Sequence, residues 1–249
     1  MSGVATERLV VSLVSHKQAP IVADSLSDIA VACDPTILTV LVTINVEETL
    51  NFRESDFPFE LGIVRNAQPK GFGANHNAAF SRMSSKFFCV LNPDIRLNSD
   101  PFPPLLAELR KPNIGIVSPL IIDPSGKVED NARRAITPMS IAKRLLKIDK
   151  EPDYHINELP ISPDWVAGMF MLFRSEAFSE MKGFDERFFM YCEDADICAR
   201  FWGSGYEVSL VPSVAVIHNA QRKSHRNVSH VRWHIASLLR YFSKYSHNN

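Results

Sequence analysis

Phe87-Phe88-Cys89-Val90-Leu91-Asn92-Pro93-Asp94 is five apolar residues followed at once by an acidic turn. An unbroken apolar run of this length reads as a strand covered on both faces, the kind found in parallel sheets. The neighbouring sequence repeats the pattern. Leu9 to Val14 and Leu38 to Ile44 are β-branched-rich runs, and between them Val22, Leu26, Ile29 and Cys33 recur at helical spacing. Leu61 to Val64 and Ile114 to Val117 extend the strand series, with helices expected at Asn75 to Met83 and Pro104 to Leu109. Strands alternating with helices predict an α/β fold with a mostly parallel central sheet flanked by helices. Ligands of such sheets bind beyond the carboxyl ends of the strands. Ser15-His16, Asn45 and Asn92-Pro93-Asp94 all lie at expected strand ends.

After Pro124 the rhythm breaks. A stretch rich in Pro and charge runs to Pro163, with one short amphipathic helix near Ile141 to Ile148, and reads as a flexible insertion. Strand, helix, strand, strand then follow at Met169 to Phe173, Ser175 to Met181, Val208 to Val211 and Ala215 to Ile217.

The 249 residues are 45% hydrophobic, ample for a sizeable core. Lys plus Arg number 27 against 28 Asp plus Glu, so no global field argues for a nucleic-acid partner. Locally the balance tips. Residues 133–150 hold six basic side chains and one acid, and residues 221–249 hold six and none. Cys33, Cys89, Cys192 and Cys198 have neither metal-ligand spacing nor a secreted disulfide pattern, so free thiols are expected. The first eight residues do not read as a signal peptide, and no run approaches the roughly 20 apolar residues of a spanning helix. A cytoplasmic protein follows, with attachment to a membrane surface left open.

A second acidic segment, Phe188-Phe189-Met190-Tyr191-Cys192-Glu193-Asp194-Ala195-Asp196, sets three carboxylates within four residues. Like charges this close repel, so a fold keeps them where cations, helix dipoles or reacting hydroxyls offset the repulsion. Two acidic sites far apart in sequence suggest a metal-assisted transferase.

The order Leu91-Asn92-Pro93-Asp94, Asp164-Trp165-Val166-Ala167-Gly168, Gly183-Phe184-Asp185-Glu186, Glu193-Asp194-Ala195-Asp196, then His218 resembles the family 2 glycosyltransferases. Within them the chain is most similar to bacterial O-antigen rhamnosyltransferases, through Val14-Ser15-His16, Gly71-Phe72-Gly73, the run from Phe189 to Asp194, and Arg232-Trp233-His234. The resemblance implies a GT-A fold organised as a Rossmann-like, nucleotide-binding donor half over about residues 8–122, an acceptor-side and catalytic half over 123–220, and a C-terminal basic amphipathic helix over 221–249. It also implies an inverting transfer of L-rhamnose from dTDP-L-rhamnose to a GlcNAc-type saccharide on a lipid diphosphate, on the inner face of the bacterial membrane.

Residue by residue, the resemblance makes Asp94 and His218 ligands of a divalent metal, Mn²⁺ or Mg²⁺, and Asp194 the general base. A histidine beside a carboxylate suits Mn²⁺ better. Ser15, His16, Asn45, Gly71, Gly73, Asn77 and Asn92 fall on the donor side, and Trp165, Gly168, Glu193 and Arg133 on the acceptor side. Plainer readings stand beside these. Asp94 could cap a turn, His218 could be structural, the two glycines could simply turn the chain, and Arg133 could be a solvated loop residue. Asp196 and Arg200 form an i, i+4 pair, which assigns Asp196 chiefly to structure.

Two positions depart from the family. Asn92 stands where many relatives have an acid, and Ile44 precedes Asn45 where many have Asp. A sugar-nucleotide pyrophosphorylase and an inactive saccharide-binding module are the competing readings. Near the end, Val231, Ile235, Leu238, Leu239, Phe242 and Tyr245 recur on one helical face, with Arg232, Arg240 and Lys244 elsewhere. Such a helix either packs on the core or lies on an anionic membrane, and the membrane surface is the expected partner.

Overall fold

The computed structural model describes residues 8–146, 152–219 and 228–245. Strand β1 (Leu9–His16) pairs in parallel with β2 (Leu38–Val46) after crossing over through helix α1 (Ala19–Ala32), and β2 pairs in parallel with β3 (Glu60–Arg65). Helix α2 (Phe72–Phe80) then returns the chain to β4 (Phe87–Leu91), which pairs in parallel on the other side of β1. There follow β5 (Ile95–Arg96), α3 (Phe102–Leu109), β6 (Ile114–Ile122), β7 (Ala132–Arg133), α4 (Pro138–Leu145), β8 (Trp165–Val166), β9 (Phe170–Arg174), α5 (Ser175–Glu180), α6 (Glu193–Gly203), β10 (Glu207–His218) and α7 (Val228–Tyr245). The main sheet has eight strands in the order β3-β2-β1-β4-β9-β6-β10-β5, and β7 pairs with β8 in a separate ribbon. Only β9 and β5 run against the rest. The mostly parallel α/β sheet expected from the sequence is present.

The opening run shows why both faces needed apolar residues. Phe87, Cys89 and Leu91 join the cluster built on Leu9, Val11, Leu13 and helices α1 and α3. Phe88 and Val90 point the other way, into a cluster with Phe173, Phe178, Phe184 and Phe201. Phe178 lies edge-on to Phe173 at 4.8 Å between centroids, and each such fully buried ring contributes on the order of 2–3 kcal/mol. A third, small cluster of Phe188, Cys192, Ala195 and Tyr241 ties α7 to the start of α6. All four cysteines are buried free thiols.

Several expectations are corrected. Helix α2 begins at Phe72, three residues earlier than its apolar spacing suggested, because Gly71 serves as its N-cap residue. The two strands expected over 208–217 are one strand, with its register to β6 shifted between Val211 and Ala215 beside Pro212, which has no N–H to donate. The stretch after Pro124 holds β7, α4 and β8, and the short helix spans Pro138–Leu145. Ile148, Lys147 and Lys150, and the basic Arg222, Lys223 and Arg226, lie outside the described residues.

This topology positions the site. The carboxyl ends of β1, β2, β4, β6 and β10 share one edge of the sheet, and β9, running the other way, begins there.

Candidate active site

Asp94 and His218, 124 residues apart, meet because β5 pairs antiparallel with the end of β10, setting Ile95 opposite His218. The backbone N–H of Asn219 donates to the carbonyl of Asp94 at 2.9 Å, and the Nε2 of His218 stands 3.4 Å from the Oδ2 of Asp94. On its far side, the Nδ1 of His218 lies 2.7 Å from the Oε2 of Glu129. Burial opposes charge on this ring, but hydrogen bonds and attraction from Asp94 and Glu129 outweigh it and raise the pKa to about 9. The other carboxylate oxygen of Asp94, Oδ1, is buried without a partner. A buried anionic oxygen left unsatisfied is costly, and a cation is the direct remedy. One carboxylate and one imidazole therefore fit a divalent ion such as Mn²⁺. Among the described residues no group of three or more His, Cys, Asp and Glu side chains is arranged to hold a metal, and substrate phosphates commonly supply further ligands to such an ion.

The second acidic group opens α6. Tyr191 and Cys192, just before it, both sit in the left-handed region with φ of 72° and 64°. Two consecutive non-glycine residues there mark stored strain of the kind that collects at functional sites. Asp194 accepts the N–H of Gly168 at 3.1 Å through Oδ2 and that of Ala195 at 2.8 Å through Oδ1. Burial pushes its pKa up, while these amides and Arg133 pull the other way. Gly168 leads directly into β9, and the next residue, Met169, accepts the N–H of Asn92 at 2.8 Å. Two short steps thus connect the base candidate to the Asp94 turn. A Cβ on Gly168 would stand 3.3 Å from the Phe72 ring and 3.6 Å from the Cβ of Asp194, so a side chain here would press on the Phe72 ring.

Glu193 is buried with Oε2 unpartnered, and burial followed by repulsion from Asp194 holds its pKa well up. Asp196, fully buried, binds Arg200 at 2.9 Å, Lys244 at 2.6 Å and the hydroxyl of Tyr245 at 2.9 Å. Its partners are all structural, in keeping with the i, i+4 reading.

On the acceptor side, Arg133 and Trp165 sit opposite each other in the β7–β8 ribbon, the guanidinium 5.7 Å from the ring centroid. Arg133 also pairs with Asp130 at 3.1 Å. On the donor side, Asn45 holds the backbone of Lys70 from both ends of its amide, at 2.8 and 2.9 Å, and touches the Nδ1 of His16 at 3.3 Å. Ser15 is fully buried and donates to Glu48 at 2.6 Å. Asn77 grips Phe184 through its N–H and carbonyl, both at 2.9 Å. A Cβ on Gly71 would stand 2.5 Å from the Phe189 carbonyl and one on Gly73 2.6 Å from the Cβ of Phe184. Both glycines therefore admit the segment leading to α6. A cleft of about 580 Å³ lined by Lys70, Gly71, Asn77, Glu186 and Phe189 runs along α2 and includes none of Asp94, Asp194 and His218.

Two participants escaped the sequence reading. Glu48 accepts the amides of Lys17 and Ala19 as well as Ser15, capping α1, whose own Gln18 supplies no side-chain cap. Glu129 is delivered by a tight turn in which Asp123 Oδ1 accepts the amides of Ser125 and Lys127 and Gly126 takes φ of 84°. The turn residues Asp123-Pro124-Ser125-Gly126 were the available signal.

Helix α7 docks by Trp233, Ser237, Tyr241 and Lys244. Trp233 meets Phe189 at 4.9 Å, Ser237 donates to the Met190 carbonyl at 2.8 Å, and Lys244 reaches Asp185 and Asp196. The apolar face read from the sequence is split. Leu238, Phe242 and Tyr245 are partly buried against the core, whereas Val231, Ile235 and Leu239 are 56%, 55% and 67% exposed. Among the described residues no helix is long and apolar enough to cross a membrane.

Against known proteins, a family model described as Glycosyl transferase family group 2 matches residues 87–240. Rhamnosyltransferase WbbL of Escherichia coli K12 is 30% identical over 190 residues, 70% of each chain. The N-acetylglucosaminyl-diphospho-decaprenol L-rhamnosyltransferase of Mycobacterium tuberculosis is 33% identical over 164 residues, 58% of this chain and 51% of that one, so the chain spans about half the length of this relative. Among solved structures, GalNAc-T7 with UDP, GalNAc and Mn²⁺ superposes with a TM-score of 0.68 at 14% identity, over 88% of this chain and 45% of that one. The mannosyltransferase PcManGT of Pyrobaculum calidifontis with GDP-Man and Mn²⁺ gives 0.66 at 15%, over 97% and 65%. The fold is therefore the GT-A type.

Proposed function

Because the chain belongs to glycosyl transferase family group 2, we propose that it is an inverting rhamnosyltransferase, moving L-rhamnose from dTDP-L-rhamnose to a GlcNAc-type saccharide carried on a lipid diphosphate. Two curated relatives named as rhamnosyltransferases, one of them for a diphospho-decaprenol-linked N-acetylglucosaminyl acceptor, support the substrates. The observation that carries the chemistry is the gathering of Asp94, His218 and Asp194 on one sheet edge, with Asp94 Oδ1 buried and unsatisfied.

In this reading the acceptor oxygen attacks the anomeric carbon opposite the departing nucleoside diphosphate. A new C–O bond forms, the bond to the phosphate oxygen breaks, and the hydroxyl proton passes to Asp194. The burial that raises the pKa of Asp194 makes it the better base. A divalent ion, Mn²⁺ or Mg²⁺, held by Asp94 and His218 would neutralise charge on the leaving diphosphate, a Lewis-acid role worth several kcal/mol. His16, Asn45 and Asn92 serve the donor side, Trp165 offers a flat face to the acceptor sugar, Glu193 orients its hydroxyl, and Arg133 meets its diphosphate. The exposed Val231, Ile235 and Leu239, flanked by exposed Arg232 and Arg240, rest on the anionic inner face of the membrane that carries the acceptor.

A panel of dTDP-, UDP- and GDP-sugars with a lipid-diphosphate-GlcNAc acceptor, with and without chelator, tests the assignment. Transfer from dTDP-L-rhamnose alone, lost on chelation, is expected. Transfer from a UDP-hexose instead would refute the donor while leaving the family intact.

A further inference from the structure

We propose that Glu129 is a positioning residue for the metal centre, orienting His218 so that one ring nitrogen is left for the ion beside Asp94. The inference rests on Asp94 and His218 being the metal pair, and extends it to a residue on a different segment.

The geometry has three parts. Glu129 Oε2 is 2.7 Å from His218 Nδ1, while Nε2, on the opposite side of the ring, faces Asp94 Oδ2 at 3.4 Å. A carboxylate that accepts from Nδ1–H leaves Nε2 as the nitrogen for the ion, which would take the place of its proton, and holds the ring plane in place. Glu129 is itself held firmly. Its N–H donates to the Ile121 carbonyl at 2.9 Å, and its carbonyl accepts from the N–H of Asn131 at 2.9 Å. The neighbouring Val128 bridges back to Ile122 at the end of β6, so the turn returns the chain alongside the strand. Asn131, buried, donates to the Pro119 carbonyl at 3.2 Å and fixes the far side. β6 and β10 are parallel neighbours, so a residue returning over the end of β6 arrives beside the end of β10, where His218 stands. This turn also leads, through Asn131, into β7 and Arg133, so metal side and acceptor side share one backbone segment.

Mn²⁺ titrated into the intact protein and followed by electron paramagnetic resonance, with pulsed detection of imidazole nitrogen coupling, is the test. The wild type should show bound Mn²⁺ coupled to a histidine nitrogen, and His218→Ala should lose the coupling. Glu129→Ala should weaken Mn²⁺ binding about 10- to 100-fold and diminish the nitrogen signal, with Glu129→Gln, which still accepts a hydrogen bond, falling between. The Glu129 side chain is 29% exposed, so both variants should keep the wild-type circular dichroism, with a modest fall in metal-free melting temperature from the lost pair with His218. Glu129→Ala and Glu129→Gln that bind Mn²⁺ as the wild type does, with the nitrogen coupling intact, would overturn the proposal and leave the metal pair standing. A wild type with no nitrogen coupling would instead remove His218 as a ligand, and the proposal with it.

Discussion

Acidification should expose the packing of His76, the residue that locks α2 against the segment leading to α6. Its ring is 1% exposed, its Nδ1 lies 2.8 Å from the Ser12 hydroxyl, and the Phe72 ring stands 4.6 Å away. Burial holds its pKa down from 6.5 to about 3. With the folded value below the unfolded one, the neutral ring contributes stability that is present above about 6.5 and lost as pH falls toward about 3. Linkage puts the loss at about 2 kcal/mol by pH 5 and about 5 kcal/mol below pH 3. Glu193 and Asp194 act in the opposite sense, because their raised values let the folded state take up protons first. The difference between wild type and His76→Gln, which cannot titrate, isolates the ring. Urea unfolding at pH 7.5 and pH 5 should show the stability gap between the two shift by about 2 kcal/mol against the wild type, equivalent to roughly 4–8 °C in melting temperature. Parallel pH dependence in the two proteins would refute the packing argument.

Gly183 has φ of 65° and leaves only 2.3 Å between an added Cβ and Asn77 Oδ1, so Gly183→Ala should destabilise by roughly 2–4 kcal/mol and lower the melting temperature, with an unchanged melt as the contrary result. Replacing Val231, Ile235 and Leu239 together by Ser should leave the fold intact, because all three are exposed, yet reduce co-sedimentation with anionic phosphatidylglycerol vesicles about tenfold or more. Unaltered vesicle binding would remove α7 as the contact.

The strands were legible because burial on both faces leaves no polar alternation: every residue of Phe87–Leu91, and all of Leu38–Val46 except the last, is buried or nearly so. Asp94 and His218 could be named from the sequence, but their apposition depends on the two-residue β5, too short to leave a periodic signal. Glu129 was hidden for a related reason. It follows a turn inside a stretch with no helical or strand repeat, and only register between β6 and β10 brings it to His218. The apolar face of α7 was legible only in part, because hydropathy groups the exposed Val231, Ile235 and Leu239 with the packed Leu238 and Phe242, whereas docking also works through Ser237, Tyr241 and Lys244, whose hydrogen bonds and ion pairs hydropathy does not count. Gly71 and Gly73 are expected on the donor side from the sequence. Their immediate neighbours are Phe189 and Phe184.

The measurement bearing most directly on the central claim is rhamnose transfer by Asp194→Asn. The substitution removes the base and keeps one acceptor oxygen for either the Gly168 or the Ala195 amide, the two that Asp194 binds through separate oxygens. With dTDP-L-rhamnose, a lipid-diphosphate-GlcNAc acceptor and Mn²⁺, kcat should fall by about 10²- to 10⁴-fold in a variant that keeps the wild-type circular dichroism. Activity near that of the wild type would show that another group takes the proton and would contradict the account.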